Sequence, residues 1–151
     1  GIYRSREGIL NDGSIATKFI DGKHISASVI TGKTQLLLTV NRQFITIGDK
    51  ISYDGGMVPY QCDRKEEIVD IAKKTTKILG CRGYAGVDMV LADKPYVVDV
   101  NPRPTTSIIG ITRVLNAQIA DLILKSVFGE LPDHVELNGT FSFRKDDLFG
   151  L

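Results

Sequence analysis

Gly86-Val87-Asp88-Met89-Val90-Leu91-Ala92-Asp93-Lys94-Pro95-Tyr96-Val97-Val98-Asp99-Val100-Asn101 reads as two β-strands around a turn. Taking Ala92 to Pro95 as a four-residue loop keeps Pro95, which has no N–H, out of the ladder. That pairing sets Leu91 against Tyr96, Met89 against Val98 and Val87 against Val100, a wholly apolar face expected to lie on helices. On the opposite face Val90 meets Val97, Asp88 meets Asp99, and Gly86 lies across from Asn101, leaving room for a group to approach. Two carboxylates then stand directly opposite, with Cβ atoms about 5 Å apart, and like charges so placed are unfavourable. A hard cation supplies a reason, because two carboxylates and an amide carbonyl, completed by water and phosphate, suit Mg²⁺. Two solvated acids, or a register one residue off, are the plainer readings, and spacing alone does not choose.

Upstream, Asp63 and Glu66 have the spacing of a capping box. Ile68, Ile71, Ala72, Thr75, Ile78 and Leu79 then recur at helical intervals, and Gly80 is a natural stop. Downstream, a helix is expected from Thr112 to Phe128, closed by Gly129. Val114, Leu115, Ile119, Leu122, Ile123 and Val127 are its apolar stripe. The first half reads as strands. Ile15–Ile20 ends at Asp21-Gly22, and Ile25–Thr31 and Thr34–Val40 flank Gly32-Lys33, a pair suited to a type II′ hairpin. Gln43–Ile47 is a further short strand, Asp54-Gly55-Gly56 with Pro59 a loop, and Val135–Phe143 an edge strand or hairpin around Asn138-Gly139. Hairpins followed by helices define an α+β class with an antiparallel sheet packed against helices.

Composition removes several classes. The chain has 151 residues, 42% hydrophobic and 25% charged, enough for one packed core. Nineteen Lys and Arg against eighteen Asp and Glu, a net charge of +1, offer no basic excess for nucleic acid. No apolar run is long enough to span a bilayer, and Cys62 and Cys81 read as cytosolic thiols, so a cytoplasmic protein is expected. The chain opens Gly1-Ile2-Tyr3-Arg4 without Met, as a piece of a longer protein would.

Asp88, followed by Asp99-Val100-Asn101-Pro102-Arg103-Pro104-Thr105-Thr106-Ser107, resembles the C-terminal signature of the ATP-grasp superfamily. There an acid on one strand precedes acid-x-Asn-x-Arg on the next. The resemblance implies that Asp88, Asp99 and Asn101 are ligands of Mg²⁺, with Mn²⁺ able to substitute. It implies that Arg103 is the catalytic residue, facing the transferred phosphoryl group or an acyl-phosphate. The usual second acid is Glu, and Asp99 is one methylene shorter. Thr17 to Ser26 is similar to the family's hinge strand, Glu-Phe-Ile-Glu-Gly-x-x-x-Ser. By that likeness Lys18, Phe19 and Ile20 bind the adenine of ATP through their backbone, and His24 stands where several relatives place a ribose-binding Glu. By itself His24 is a partly exposed strand residue. Val40-Asn41-Arg42-Gln43-Phe44-Ile45, followed by Tyr53 to Pro59, resembles the archaeal ATP-grasp branch that is like carbamoyl-phosphate synthase and includes tyramine–glutamate ligases.

The family's organisation implies that residues 1–20 end the small subdomain and carry the hinge strand. Residues 21–151 would then form the large C-terminal subdomain, with the N-terminal substrate domain absent. Gly1 would be the last glycine of a phosphate-binding loop, with Arg4, Arg6 and Lys18 either touching phosphate or serving as surface charges. The implied activity is an ATP-dependent carboxylate–amine ligase acting through an acyl-phosphate, on small-molecule carboxylate and amine substrates. The alternatives are an ATP-binding or carbamoyl-phosphate-synthase-like module without independent catalysis, and a structural domain whose acids are merely solvated. No nucleic acid or membrane partner is expected, a homo-oligomer is left open, and this segment is not expected to catalyse alone.

Overall fold

The computed structural model describes residues 15–48 and 50–148. Six strands form one antiparallel sheet: β1 (Lys23–Thr31), β2 (Gln35–Ile47), β3 (Ile51–Val58), β4 (Gly83–Leu91), β5 (Pro95–Asn101) and β6 (Phe141–Arg144). Their order across the sheet is β5-β4-β1-β2-β3-β6, which makes β1 central, between β2 and β4. Three helices join them: α1 (Lys65–Ile78), α2 (Ile108–Val114) and α3 (Ile119–Phe128). The α+β class with helices packed on an antiparallel sheet is as the sequence implies.

Strand alternation divides β1 into two apolar faces. Ile25, Ala27 and Val29 pack with Val40, Val87, Met89 and, from α1, Ile68 and Ala72. On the other side Ile30, Leu36, Leu38 and Tyr84 pack with Ile111 and Val114 of α2 and Ile119 and Leu122 of α3. The second face changes character along β1, where Ser26 and Ser28 replace apolar residues. The site lies on that polar half of the sheet.

Several sequence expectations are corrected. Ile15–Ile20 is not a strand, and the chain enters the sheet only at Lys23. The β1–β2 hairpin exists, but Thr31 pairs with Gln35 across a three-residue loop, and Gly32 does not take the positive φ of a type II′ turn. Gly32 serves close approach instead: a Cβ there would lie 2.1 Å from the Ser126 carbonyl oxygen. Gln43–Ile47 continues β2 rather than forming a separate strand. Asp54-Gly55-Gly56 lies within β3, because the missing side chains let β6 pair alongside; a Gly55 Cβ would meet the Phe143 carbonyl at 2.2 Å.

The capping box fails. Arg64 occupies the N-cap of α1 with no side-chain cap bond, and its guanidinium reaches Glu67 and the Ala92 carbonyl. The end at Gly80 holds, with φ +65°. Of the expected stripe, Ile68 and Ala72 are buried, but Ile78 is 82% exposed and Leu79 60%. The second helix is two. Leu115 turns to extended backbone and bridges Leu137, so α2 ends at Val114 and α3 begins at Ile119. In the tail, Gly139 takes φ +73° and only Phe141–Arg144 forms the expected edge strand.

Candidate functional site

The β4–β5 hairpin brings the two acids together. Asp88 and Asp99 are register partners, as are Gly86 and Asn101, so the pairing derived from the sequence holds at these four residues. Nearer the turn it does not. The loop is Ala92 to Lys94, closed by the Ala92 N–H on the Lys94 carbonyl, and Pro95 pairs with Leu91. Met89 then meets Val97 and Val90 meets Tyr96. One extra residue on β5, Val98, absorbs the shift before Asp99, so the strand bulges there and Val98 faces outward, 57% exposed.

The Asn101 amide Nδ2 donates to Asp88 Oδ2 at 3.3 Å and to Asp99 Oδ2 at 3.0 Å. Its Oδ1 accepts from Arg103 Nη2 at 3.2 Å. That orientation is the one the chemistry demands, since ionised carboxylates only accept and guanidinium only donates. Asp88 Oδ1 accepts from Gln43 Nε2 at 2.8 Å. Asp99 Oδ1 accepts from the Val100 N–H at 2.9 Å. Arg103 sits exposed in the turn after β5, held also by a 3.2 Å bond to the Pro104 carbonyl.

Burial pushes the Asp88 carboxyl above its ordinary range; the Gln43 hydrogen bond opposes this, the Asp99 charge adds to it, and Arg103 opposes it. Tyr53, on β3, is pushed up to about 12 by burial first and the Asp88 charge second. Its hydroxyl lies over Gly56, where a Cβ would come within 3.2 Å of it. Gly86 does not leave open room: a Cβ there would be 2.5 Å from Thr105 Cγ2, so this glycine seats the segment that carries Arg103.

Beneath the acids lies a buried polar layer. Asn41 Nδ2 donates to Ser26 Oγ at 3.1 Å and Ser28 Oγ at 3.2 Å, and Tyr84 donates to Ser28 Oγ at 2.8 Å. Ser26 is the register partner of both Asn41 and Asp88, which ties this layer to the acids.

The nucleotide residues expected from the hinge are less tightly placed. Lys18, Phe19 and Ile20 lie in the non-strand segment before β1, the first two exposed and Ile20 half-buried. His24 is in β1, paired with Val90 on the face of Asp88, and its carbonyl accepts from Arg42. Burial first, then the Arg42 charge, lower the His24 pKa, with Asp21 opposing. Gly1, Arg4 and Arg6 lie outside the described residues. Cys62 and Cys81 are free thiols, and no described helix is long and apolar enough to cross a membrane.

Gln43 and Tyr53 also stand beside Asp88, yet nothing in the sequence around either marks it as part of the site. Gln43 shares a strand face with Asn41, but only the pairing of β1 with both β2 and β4 places it beside Asp88.

Among the described residues no cluster of three or more His, Cys, Asp or Glu side chains could hold a metal. Two carboxylates and one amide remain, an oxygen-donor set of the kind Mg²⁺ takes alongside water and phosphate. One amide nitrogen already bridges both acids, so a single electropositive group fits between them.

Residues 3–107 match the ATP-grasp domain family, and the chain belongs to that family. It is 36% identical over 124 residues to the tyramine–L-glutamate ligase of Methanocaldococcus jannaschii, covering 81% of this chain and 39% of the relative. The enzyme of the same description from Methanocaldococcus fervens is 33% identical over 123 residues, covering 81% and 40%. A crystal structure of an ATP-grasp superfamily protein from Archaeoglobus fulgidus superposes with a TM-score of 0.64 at 33% identity, covering 83% of this chain and 40% of that one. The chain thus spans about two fifths of the length of the curated relatives it matches.

Proposed function

We propose that this chain is the C-terminal, nucleotide- and cation-holding part of an ATP-dependent carboxylate–amine ligase. The observation that carries the reading is the convergence of Asp88, Asp99 and Asn101 on the polar half of one sheet face, with Arg103 bonded to Asn101 from the turn that follows. Asp88 and Asp99 would hold Mg²⁺, or Mn²⁺ in its place, and Asn101 would join them by turning its amide so that Oδ1, which accepts from Arg103 in this structure, faces the cation. A bound cation of this kind neutralises charge on phosphate oxygens.

A carboxylate resists attack by an amine because its leaving oxide is too basic. Transfer of the γ-phosphoryl group of ATP to a carboxylate oxygen releases ADP and makes an acyl-phosphate. The amine then attacks the acyl carbon, phosphate departs, and the nitrogen loses a proton. The protein's part is positioning and charge stabilisation. The Arg103 guanidinium, planar and always charged, suits bidentate contact with the moving phosphoryl group. Lys18, Phe19, Ile20 and His24 are assigned to the nucleotide, residues 1–20 to the hinge side and 21–151 to the large subdomain. The finer reading, supported by the likeness to tyramine–glutamate ligases, has glutamate as the carboxylate and tyramine as the amine, in a cytoplasmic enzyme. A likeness to the arginine-specific carbamoyl phosphate synthase large chain of Geobacillus stearothermophilus, 27% identical over 117 residues, supports a second reading: an ATP-binding, carbamoyl-phosphate-synthase-like module that does not catalyse independently.

Full-length protein tests this. ADP release that requires both a carboxylate and an amine, and disappears in Asp99→Ala and Asn101→Ala, supports a ligase. ADP release indifferent to the amine, or full activity in the double variant, overturns it.

A further inference from the structure

We propose that Gln43 is a positioning residue for Asp88, setting the direction in which that carboxylate meets the cation. The inference rests on the reading of Asp88 as a ligand of Mg²⁺. Gln43 is on β2 and Asp88 on β4, with β1 between them, a separation of two strand spacings or about 10 Å. A bond across that gap needs a long side chain and a low residue beneath it. Ser26, the β1 partner of Asp88, is short enough to be crossed. Gln43 Nε2 reaches Asp88 Oδ1 at 2.8 Å, while Asn101 holds Oδ2 from the β5 side at 3.3 Å. Gln43 thus fixes Oδ1 from the β2 side, and Oδ2, on the Asn101 and Asp99 side, is left to face the cation when the Asn101 amide turns its oxygen toward it.

The choice of glutamine is chemically specific. A Lys or Arg at this position would compete with the cation for Asp88, and a Glu would repel it. A neutral amide orients the carboxylate and leaves its charge for the metal. Groups that orient metal ligands in this way typically change affinity by roughly 10–100-fold when removed.

The test measures cation affinity directly in full-length protein. Mn²⁺ is titrated in the presence of ADP and followed by the enhanced relaxation of water protons. Gln43→Leu removes the donor, and Gln43→Asn keeps the amide on a side chain too short to span β1. Both should weaken Mn²⁺ binding roughly 10–100-fold with an unchanged thermal midpoint, and Asp88→Asn should weaken it further. If Gln43→Leu does not fold, Gln43→Asn decides the question. Unchanged Mn²⁺ affinity in the Gln43 variants, with binding lost in Asp88→Asn, overturns the positioning role and leaves the ligand assignment standing. Unchanged affinity in Asp88→Asn overturns both.

Discussion

Asp88 and Asp99 face each other as register partners on β4 and β5, with no cationic side chain hydrogen-bonded to either among the described residues. The sheet tolerates the repulsion because the Gln43 and Asn101 amides donate to Asp88, and the Asn101 amide and the Val100 N–H donate to Asp99.

Stability and activity should therefore part company at Asp99. Removing one of two opposed charges relieves a destabilisation of about 0.2–1 kcal/mol. Asp99→Asn should have a thermal midpoint equal to or slightly above the parent's. In full-length protein, the proposed ligase activity should show ADP release falling by more than the roughly 10–100-fold typical of groups that merely orient metal ligands. Calorimetry and a coupled ADP assay on one preparation check both halves.

Acid titration should show Asp88 with the opposite sign to a salt-bridged acid. Burial raises its folded pKa above the ordinary 3.8, so the folded state holds the proton more tightly than the unfolded one. The stability this confers is complete below the ordinary value and is lost as pH rises through the raised one. In chelator, the denaturation midpoint of the parent should fall relative to Asp88→Asn as pH climbs out of the ordinary carboxylate range. A parallel pair of curves would refute it.

Gly86 and Thr105 should be coupled. Gly86→Ala places a Cβ 2.5 Å from Thr105 Cγ2, an overlap that should cost about 1–3 kcal/mol and displace the Arg103 turn. Thr105→Ser removes that methyl group. Urea midpoints of the two single variants and the double should show recovery in the double, where additivity would predict a further loss.

Two isoleucines on one helix should behave differently. Ile68→Ala empties a fully buried position and should cost about 2–5 kcal/mol, whereas Ile78→Ala, at an 82% exposed position, should fall within about 0.5 kcal/mol. Denaturant midpoints distinguish them.

Much of the site was legible because it is local. Asp88, Asp99 and Asn101 sit on one hairpin, where period-two alternation fixes faces, and the error near the turn was cancelled by the Val98 bulge before it reached the acids. The partners from β1 and β2 were hidden, since no residue of Ser26 or Gln43 announces which strand lies beside β4. Elsewhere local signals were overridden by tertiary contacts. Apolar spacing at Ile78 suggested burial, but the sheet offers no surface to that last turn. Asp54-Gly55-Gly56 has turn composition, yet its small residues serve the approach of β6. Leu115 fits a helical stripe, yet pairs with Leu137 instead.

Val98 has one more consequence. Among the described strands β5 is an edge, and Val97 and Val98 expose 39% and 57% of their surface. An apolar edge with unpaired ladder groups is a template for strands from other copies. The extra residue interrupts that ladder, and the adjoining Asp99 charge would oppose the same charge on an incoming copy. Asp99→Asn should therefore lose solubility at high concentration even as its hairpin is relieved of repulsion, which light scattering against the parent in chelator would show.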